Sequence, residues 1–190
     1  MRILILGPQG SGKGTQAKRI ADARGLAHVA TGDILRAAVA ERTELGMRVH
    51  PILERGDLVP DHLMIDLIRE RLEQESGFVL DGFPRTLPQA EALDAMLAEI
   101  GKPLDAALLL DVGDDVATHR LARRAAEEGR TDDSPDVIAN RLGLYHELTE
   151  PVVERYRALG ILVAVDGEGT VEDVARSIEE ALSRVGAGTR

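Results

Sequence analysis

The first residues able to do chemistry lie seven positions into the chain, in Gly7-Pro8-Gln9-Gly10-Ser11-Gly12-Lys13-Gly14-Thr15. An apolar run (ILIL) precedes this stretch and a helical pattern follows it, so the G-x-x-x-x-G-K spacing sits in the strand–loop–helix context it requires. Glycines there let main-chain N–H groups turn inward around a phosphate, and the following helix adds the partial positive charge of its N-terminus. Lys13, a flexible point charge, can reach the outer phosphates. Gly10, Ser11, Gly12, Lys13, Gly14 and Thr15 are therefore candidate phosphate ligands. The generic pattern has a hydroxyl directly after the lysine; here Gly14 intervenes and the hydroxyl belongs to Thr15.

Elements that must hold this loop follow from the alternation of short β-rich runs with longer amphipathic stretches, the signature of βαβ units and a parallel sheet. The pattern predicts strands at 2–6, 27–30, 78–81, 105–111 and 160–165. It predicts helices at 13–24, 32–41, 61–74, 87–99, 114–127, 136–158 and 171–184. Thr170 with Asp173 predicts a capped start for the last helix, and Ser134-Pro135 an N-cap and N1 pair for the long one. Pro51 is expected to kink or end a short helix. Residues 31–60 and 124–134 fall outside the βαβ rhythm and read as excursions able to cover a ligand.

Composition narrows the partners. With 190 residues the chain suits one compact domain. Its 23 basic and 33 acidic residues give a formal charge of −10, which argues against a dedicated nucleic-acid or anionic-membrane binder. Aromatics are 2% of residues, too few for a base-stacking platform, and the lack of cysteine removes disulfides and thiolate chemistry. No apolar run is long enough to span a bilayer, and the first residues read as a strand and not a signal peptide, so a cytoplasmic protein is expected. Only Lys13, Lys18 and Lys102 are lysines among the 23 basic residues, which makes the place of each informative.

Three later segments join the GKGT loop: Thr31-Gly32-Asp33 with Arg36, then Gly56-Asp57-Leu58-Val59-Pro60-Asp61, then Asp81-Gly82-Phe83-Pro84-Arg85-Thr86 with Gln89. Together, in this order, they resemble the nucleoside monophosphate kinases, and the adenylate kinases in particular. The resemblance covers residues 1 to about 170. It implies a P-loop NTPase fold, three layers α/β/α around a five-stranded parallel sheet. It further implies one domain, 1–190, with a core of 1–30, 61–123 and 135–190, a helical flap for the nucleoside monophosphate at 31–60, and a short lid at 124–134. The implied substrates are ATP and AMP or ADP, the implied ion Mg²⁺, and the implied state a monomer.

Residue by residue, the resemblance implies that Arg36 and Arg85 clamp the acceptor phosphate by bidentate contacts. Thr31, Asp57, Leu58, Val59 and Gln89 would surround its base, with Gly82, Phe83 and Pro84 beside them. A glutamine amide donates and accepts at once, so Gln89 can pair with an adenine edge. The uridylate–cytidylate kinases usually carry Asn where Thr86 and Gln89 stand, so adenine is favoured. Ala30 replaces a serine frequent in the family. Asp81, ending the third strand, would orient Mg²⁺ through water with Thr15 nearby.

A second basic cluster, Arg120, Arg124, Arg130 and Arg141, resembles the lid of a short-form adenylate kinase. Arg120 would stack on the donor adenine, while Arg124, Arg130 and Arg141 would surround the transferring phosphoryl. Gly169 would let the chain approach the donor base, Arg123 would face solvent, and Asp132 and Asp133 would brace the arginines. Only five residues separate Arg124 from Arg130, so the long inserted segment of other relatives is missing and no structural zinc is expected.

An anionic phosphate acceptor needs no general base, and the histidines (28, 50, 62, 119 and 146) fall outside the motifs, which reads them as surface or packing residues. Two bound nucleotides bring about −6, reduced to about −4 by Mg²⁺, against six cations: Lys13, Arg36, Arg85, Arg124, Arg130 and Arg141. Such a site must exclude water, which predicts closure of both excursions over it. Other readings are a uridylate–cytidylate kinase, a nucleotide switch of the GTPase type, whose N-K-x-D motif is missing, and an inactive relative, although no motif residue is lost.

Overall fold

The computed structural model describes residues 1–128 and 134–187. Five strands, β1 (Arg2–Leu6), β2 (Ala27–Ala30), β3 (Phe78–Asp81), β4 (Ala106–Asp111) and β5 (Leu162–Asp166), form one sheet in the order β2-β3-β1-β4-β5. Every pairing is parallel, with Leu4 beside Leu80 on one side and Ala107 on the other. The helices are α1 (Lys13–Arg24), α2 (Thr31–Ala40), α3 (Glu44–Arg55), α4 (Asp61–Glu73), α5 (Leu87–Glu99), α6 (Asp114–Glu128), α7 (Pro135–Leu144), α8 (Glu150–Ala158) and α9 (Val171–Ala187).

The twofold period of a strand splits β1 between two cores. Leu4 and Leu6 pack with Leu80, Phe83, Leu93 and Tyr156; Ile3 and Ile5 pack with Val79, Leu108, Ile178 and Leu182. A sheet buried on both faces needs near-continuous apolar strands, as RILIL and AALLLD are. This is the three-layer α/β/α architecture expected. From the centre of the sheet β1 connects toward the β2 edge and β4 toward the β5 edge, so a crevice opens outside their carboxyl ends.

The predicted strands and most helix bounds agree with the structure to within two residues. The capping pair forms as expected, with the Asp173 N–H donating to Thr170 Oγ1 at 3.2 Å. Lys102 proves structural: its ammonium donates to the carbonyls of Leu72, Glu73 and Glu75 at 3.2, 2.9 and 2.7 Å, closing the C-terminal end of α4. Among the described residues no helix is long and apolar enough to cross a membrane.

The expectation for Pro51, a kink or an end, is narrowed, and the single helix expected at 136–158 needs correction. Pro51 does not end its helix, since α3 continues to Arg55. The carbonyl its missing N–H would have served belongs to Met47, itself 64% exposed, so water can satisfy it. Residues 136–158, conversely, are not one helix. A π-helical stretch, Tyr145–Thr149, separates α7 from α8. Pro151 has no N–H for the Glu147 carbonyl and its ring crowds it, and the ladder widens so that the Glu150 N–H bonds Tyr145.

Candidate active site

The loop leaving β1 turns into α1 at Gly12, and the Gln16 N–H bonds the Gly12 carbonyl at 3.1 Å as the first helical bond. Lys13 folds back over this loop and donates to the carbonyls of Gly7 and Pro8 at 2.7 and 2.6 Å. Burial pushes its pKa down to about 8; nearby Asp81 opposes that shift, while Arg85 and Arg124 add to it. The ammonium thus sits above the phosphate loop, within the field of groups from three other elements.

A continuous cleft of about 1360 Å³ runs from this loop across the carboxyl ends of β1 and β3 to the acceptor motifs. Gly10, Ser11, Gly12, Gly14, Thr15, Arg120, Arg124 and Gly169 line one half. Thr31, Arg36, Asp57, Leu58, Val59, Gly82, Phe83, Pro84, Arg85 and Gln89 line the other, and Arg141 of α7 also lines the cleft. The structure therefore brings together every described residue that the sequence offered as a nucleotide or metal ligand. Arg130, Asp132 and Asp133 lie outside the described residues.

Each acceptor residue is held by local structure. Thr31 is buried, and its hydroxyl donates to the Asp81 carbonyl at 3.1 Å, fixing the start of α2 to the end of β3. The Arg36 guanidinium lies over Gly32 and pairs with Asp33 one turn back at 2.5 Å. Arg85 donates from Nε to the Gly82 carbonyl at 2.9 Å. Burial lowers the Arg85 pKa, opposed by Asp81 and reinforced by Arg141 and Arg36. Lys13 and Arg85 thus share the field of the Asp81 carboxylate, with Arg124 near Lys13 and with Arg36 and Arg141 near Arg85. Asp57 takes bonds from Arg55 Nε at 2.7 Å and Asn140 Nδ2 at 3.2 Å, and the Arg55 bond chiefly holds its pKa down.

On the donor side Arg120 reaches the carbonyls of Gly167 at 2.9 Å and Glu168 at 3.1 Å, with longer contacts to Ser11 and Gly169 at 3.4 and 3.5 Å. Its guanidinium ties the phosphate loop to the turn between β5 and α9, a bracing role the sequence did not suggest. Arg123 is 69% exposed and pairs with Glu127 at 3.5 Å, in keeping with a solvent-facing position.

The donor set fits Mg²⁺ by chemistry. The Asp81 carboxylate is mostly buried and points at the loop, with Oδ2 3.5 Å from where a side chain on Gly14 would begin. A hard carboxylate oxygen in the same cleft as the Thr15 hydroxyl suits an ion that keeps much of its water. Among the described residues no group of three or more His, Cys, Asp or Glu is placed to hold a metal ion.

Sequence reasoning missed four residues. His28, expected as a surface or packing residue, lines the cleft, with Nε2 4.0 Å from Asp81 Oδ2 and no hydrogen-bond partner for that nitrogen among the described residues. His119 also reaches the lining. Thr149 and Asn140 touch acceptor-side residues from α7 and the π stretch, which sequence distance hides. His28 had a signal, being two residues before Ala30 on β2 and so on the same face.

The family profile described as adenylate kinase matches residues 5–161. An adenylate kinase from Caulobacter sp. (strain K31) is 48% identical over 188 residues, covering 97% of this chain and 100% of the relative. One from Stenotrophomonas maltophilia (strain R551-3) is 45% identical over 185 residues, covering 96% and 99%. One from Xanthomonas campestris pv. campestris (strain B100) is 46% identical over 187 residues, covering 97% and 100%. With its motifs gathered in one cleft and its relatives aligned end to end, the chain belongs to the adenylate kinase family.

Proposed function

We propose that this cleft transfers the γ-phosphoryl of MgATP reversibly to AMP, giving two ADP, and so balances adenine nucleotides. One observation carries the reading: the phosphate loop and the Arg36–Arg85–Gln89 pocket open into the same cleft, with Lys13, Arg85 and Asp81 at their junction. That is the geometry for two nucleotides meeting phosphate to phosphate.

Phosphoryl transfer needs positioning and charge neutralisation more than covalent help. The loop N–H groups and Lys13 hold the β- and γ-phosphates of the donor. Arg36 and Arg85 hold the acceptor phosphate, whose anionic oxygen attacks without surrendering a proton, so none of the histidines is required as a base. Arg124 and Arg141, with Arg130, close on the charge that spreads over the moving phosphoryl. Asp81 and Thr15 would hold Mg²⁺ through water, and the ion would supply positive charge to the donor phosphates. The adenine of the donor lies against Arg120 near Gly169, and that of the acceptor near Thr31, Leu58, Val59 and Gln89. Flap 31–60 and lid 124–134 shut water out when both substrates are present. In this reading the enzyme acts as a monomer, as the resemblance of its sequence implies.

Steady-state turnover with AMP, CMP and UMP, repeated on Arg85→Ala, tests the reading. AMP is the preferred acceptor, and the variant loses acceptor use far more than ATP binding. Preference for CMP, or unchanged AMP kinetics in the variant, overturns it.

A further inference from the structure

Gln89 is only 2% exposed, and its amide is already engaged on both sides. Oε1 accepts from the Arg85 main-chain N–H at 2.8 Å, and Nε2 donates to Asp61 Oδ1 at 2.6 Å. The other Asp61 oxygen faces the Thr86 hydroxyl at 3.5 Å. Chemistry fixes the orientation of that amide. A main-chain N–H only donates, so it requires Oε1; a carboxylate only accepts, so it requires Nε2. Turning the amide over would set donor against donor at Arg85 and acceptor against acceptor at Asp61.

These two bonds leave one lone pair on Oε1 and one N–H on Nε2. That edge matches the Watson–Crick side of a 6-aminopurine, which donates from the exocyclic amine and accepts at N1. A 6-oxopurine in the same pose meets two like-with-like contacts, and an amide free to turn over would accept either base. We infer that Asp61 is a specificity-determining positioning residue: it locks the Gln89 amide in the orientation that admits 6-amino and rejects 6-oxo acceptor nucleotides. Asp61 touches no substrate in this scheme and acts through Gln89. The inference rests on the reading that Gln89 faces the acceptor base.

Asp61→Asn keeps the size and reverses half of the chemistry. With its oxygen toward the Thr86 hydroxyl, the new amide presents an N–H to Gln89, so each orientation of the Gln89 amide meets one donor against another, at position 61 or at the Arg85 N–H, and the preference for a single orientation is lost. The AMP-to-IMP ratio of kcat/KM should fall about tenfold or more, since a matched bidentate edge discriminates on that scale. The KM for ATP should stay within about twofold, as it draws on the other half of the cleft. Gln89→Leu, measured alongside, separates the two claims. Collapse of the ratio in both variants supports the lock. Collapse in Gln89→Leu alone overturns the role of Asp61 and leaves Gln89 as the reader. An unchanged ratio in both overturns the Gln89 reading itself. Equal losses on AMP and IMP in Asp61→Asn mark Asp61 as merely structural. The unmodified protein gives an independent check with purine riboside monophosphate, which lacks any 6-substituent. The lock predicts AMP best, the unsubstituted nucleotide next and IMP worst; IMP matching or exceeding the unsubstituted nucleotide shows an amide that turns freely and overturns the inference.

Discussion

The hydroxyl of Thr149 donates to the main-chain carbonyl of Arg85 at 2.9 Å, joining the π-helical stretch to the loop that carries the acceptor clamp. Thr149 is 7% exposed, so this bond is made where water is scarce. The widened turn at Tyr145–Thr149 is therefore coupled to the site and is more than an irregularity in a helix. Thr149→Val keeps the shape and removes the donor, leaving the carbonyl short of a partner. The expected cost is about 1–2 kcal/mol of stability. The KM for AMP should rise roughly three- to tenfold as the Arg85 loop loosens, with little change for ATP. Thermal unfolding and acceptor-varied kinetics check both; an unchanged AMP KM would show that the π turn does not position the clamp.

Lys13 supplies a pH prediction. In the free protein its pKa is pushed down to about 8, chiefly by burial, and phosphates beside it restore the charged form. Binding of ATP above about pH 8 must therefore take up a proton, and affinity should fall about tenfold between pH 7 and pH 9. The sign for the free protein is opposite. The unfolded lysine holds its proton up to its ordinary 10.5, so this group adds stability as pH rises from about 8 toward that value. Calorimetric titration of ATP at pH 8.5 (a pH chosen about half a unit above the shifted value) in two buffers of different ionisation enthalpy measures the uptake. Equal heats in both buffers would refute a lowered Lys13 pKa.

How far the sequence reaches is best seen in its prolines and its carboxylates. All five strands and the two-sided burial of the sheet are legible because apolar period and turn residues agree at each element. The phosphate loop is legible because its spacing is local, and the acceptor arginines because the short motifs that carry them resemble a known family. Pro51 and Pro151 were not, because the effect of a proline depends on its surroundings. One stands a turn after an exposed residue, Met47, and the other opens a π turn whose Thr149 is then held by Arg85. Asp61 lies 28 positions from Gln89, and Asn140 lies 83 from Asp57. Nothing in one sequence says that such pairs meet. The second role of Arg120, binding carbonyls of two loops, likewise depends on how α6 packs.

The two glycines nearest Lys13 on its N-terminal side should respond differently to alanine. Both have positive φ, +85° at Gly10 and +92° at Gly12. A side chain on Gly12 would meet nothing within 4 Å, whereas one on Gly10 would come 2.4 Å from the main-chain oxygen of Ala117 in α6. Gly12→Ala should cost the left-handed penalty alone, about 1–2 kcal/mol. Gly10→Ala adds a collision with backbone that no rotamer relieves, so its loss should be clearly larger. Denaturant unfolding of the two variants checks the order, and equal losses would mean that the loop does not lie against α6.

His146 joins the start of α6 to the start of α8, with Nδ1 2.7 Å from Glu150 and Nε2 2.9 Å from Asp114. Both nitrogens can donate only when the ring is charged. The Glu150 bond first, then the Asp114 bond, raises its pKa above the ordinary 6.5, and the edge of Tyr145 packs against the ring at 5.5 Å. A raised folded pKa makes the contribution complete below about 6.5 and lost as pH climbs through the folded value. The ring is 45% exposed, so screening keeps the effect modest. His146→Ala should therefore lower Tm most at pH 6, and the gap to the unmodified protein should narrow by pH 9. Asp114→Asn should reduce the gap at pH 6, because it takes away one of the two acceptors that favour the charged ring. Melting curves of the three proteins across this range decide the matter. A Tm gap that stays constant with pH would mean that His146 contributes packing against Tyr145 and no charge link between α6 and α8.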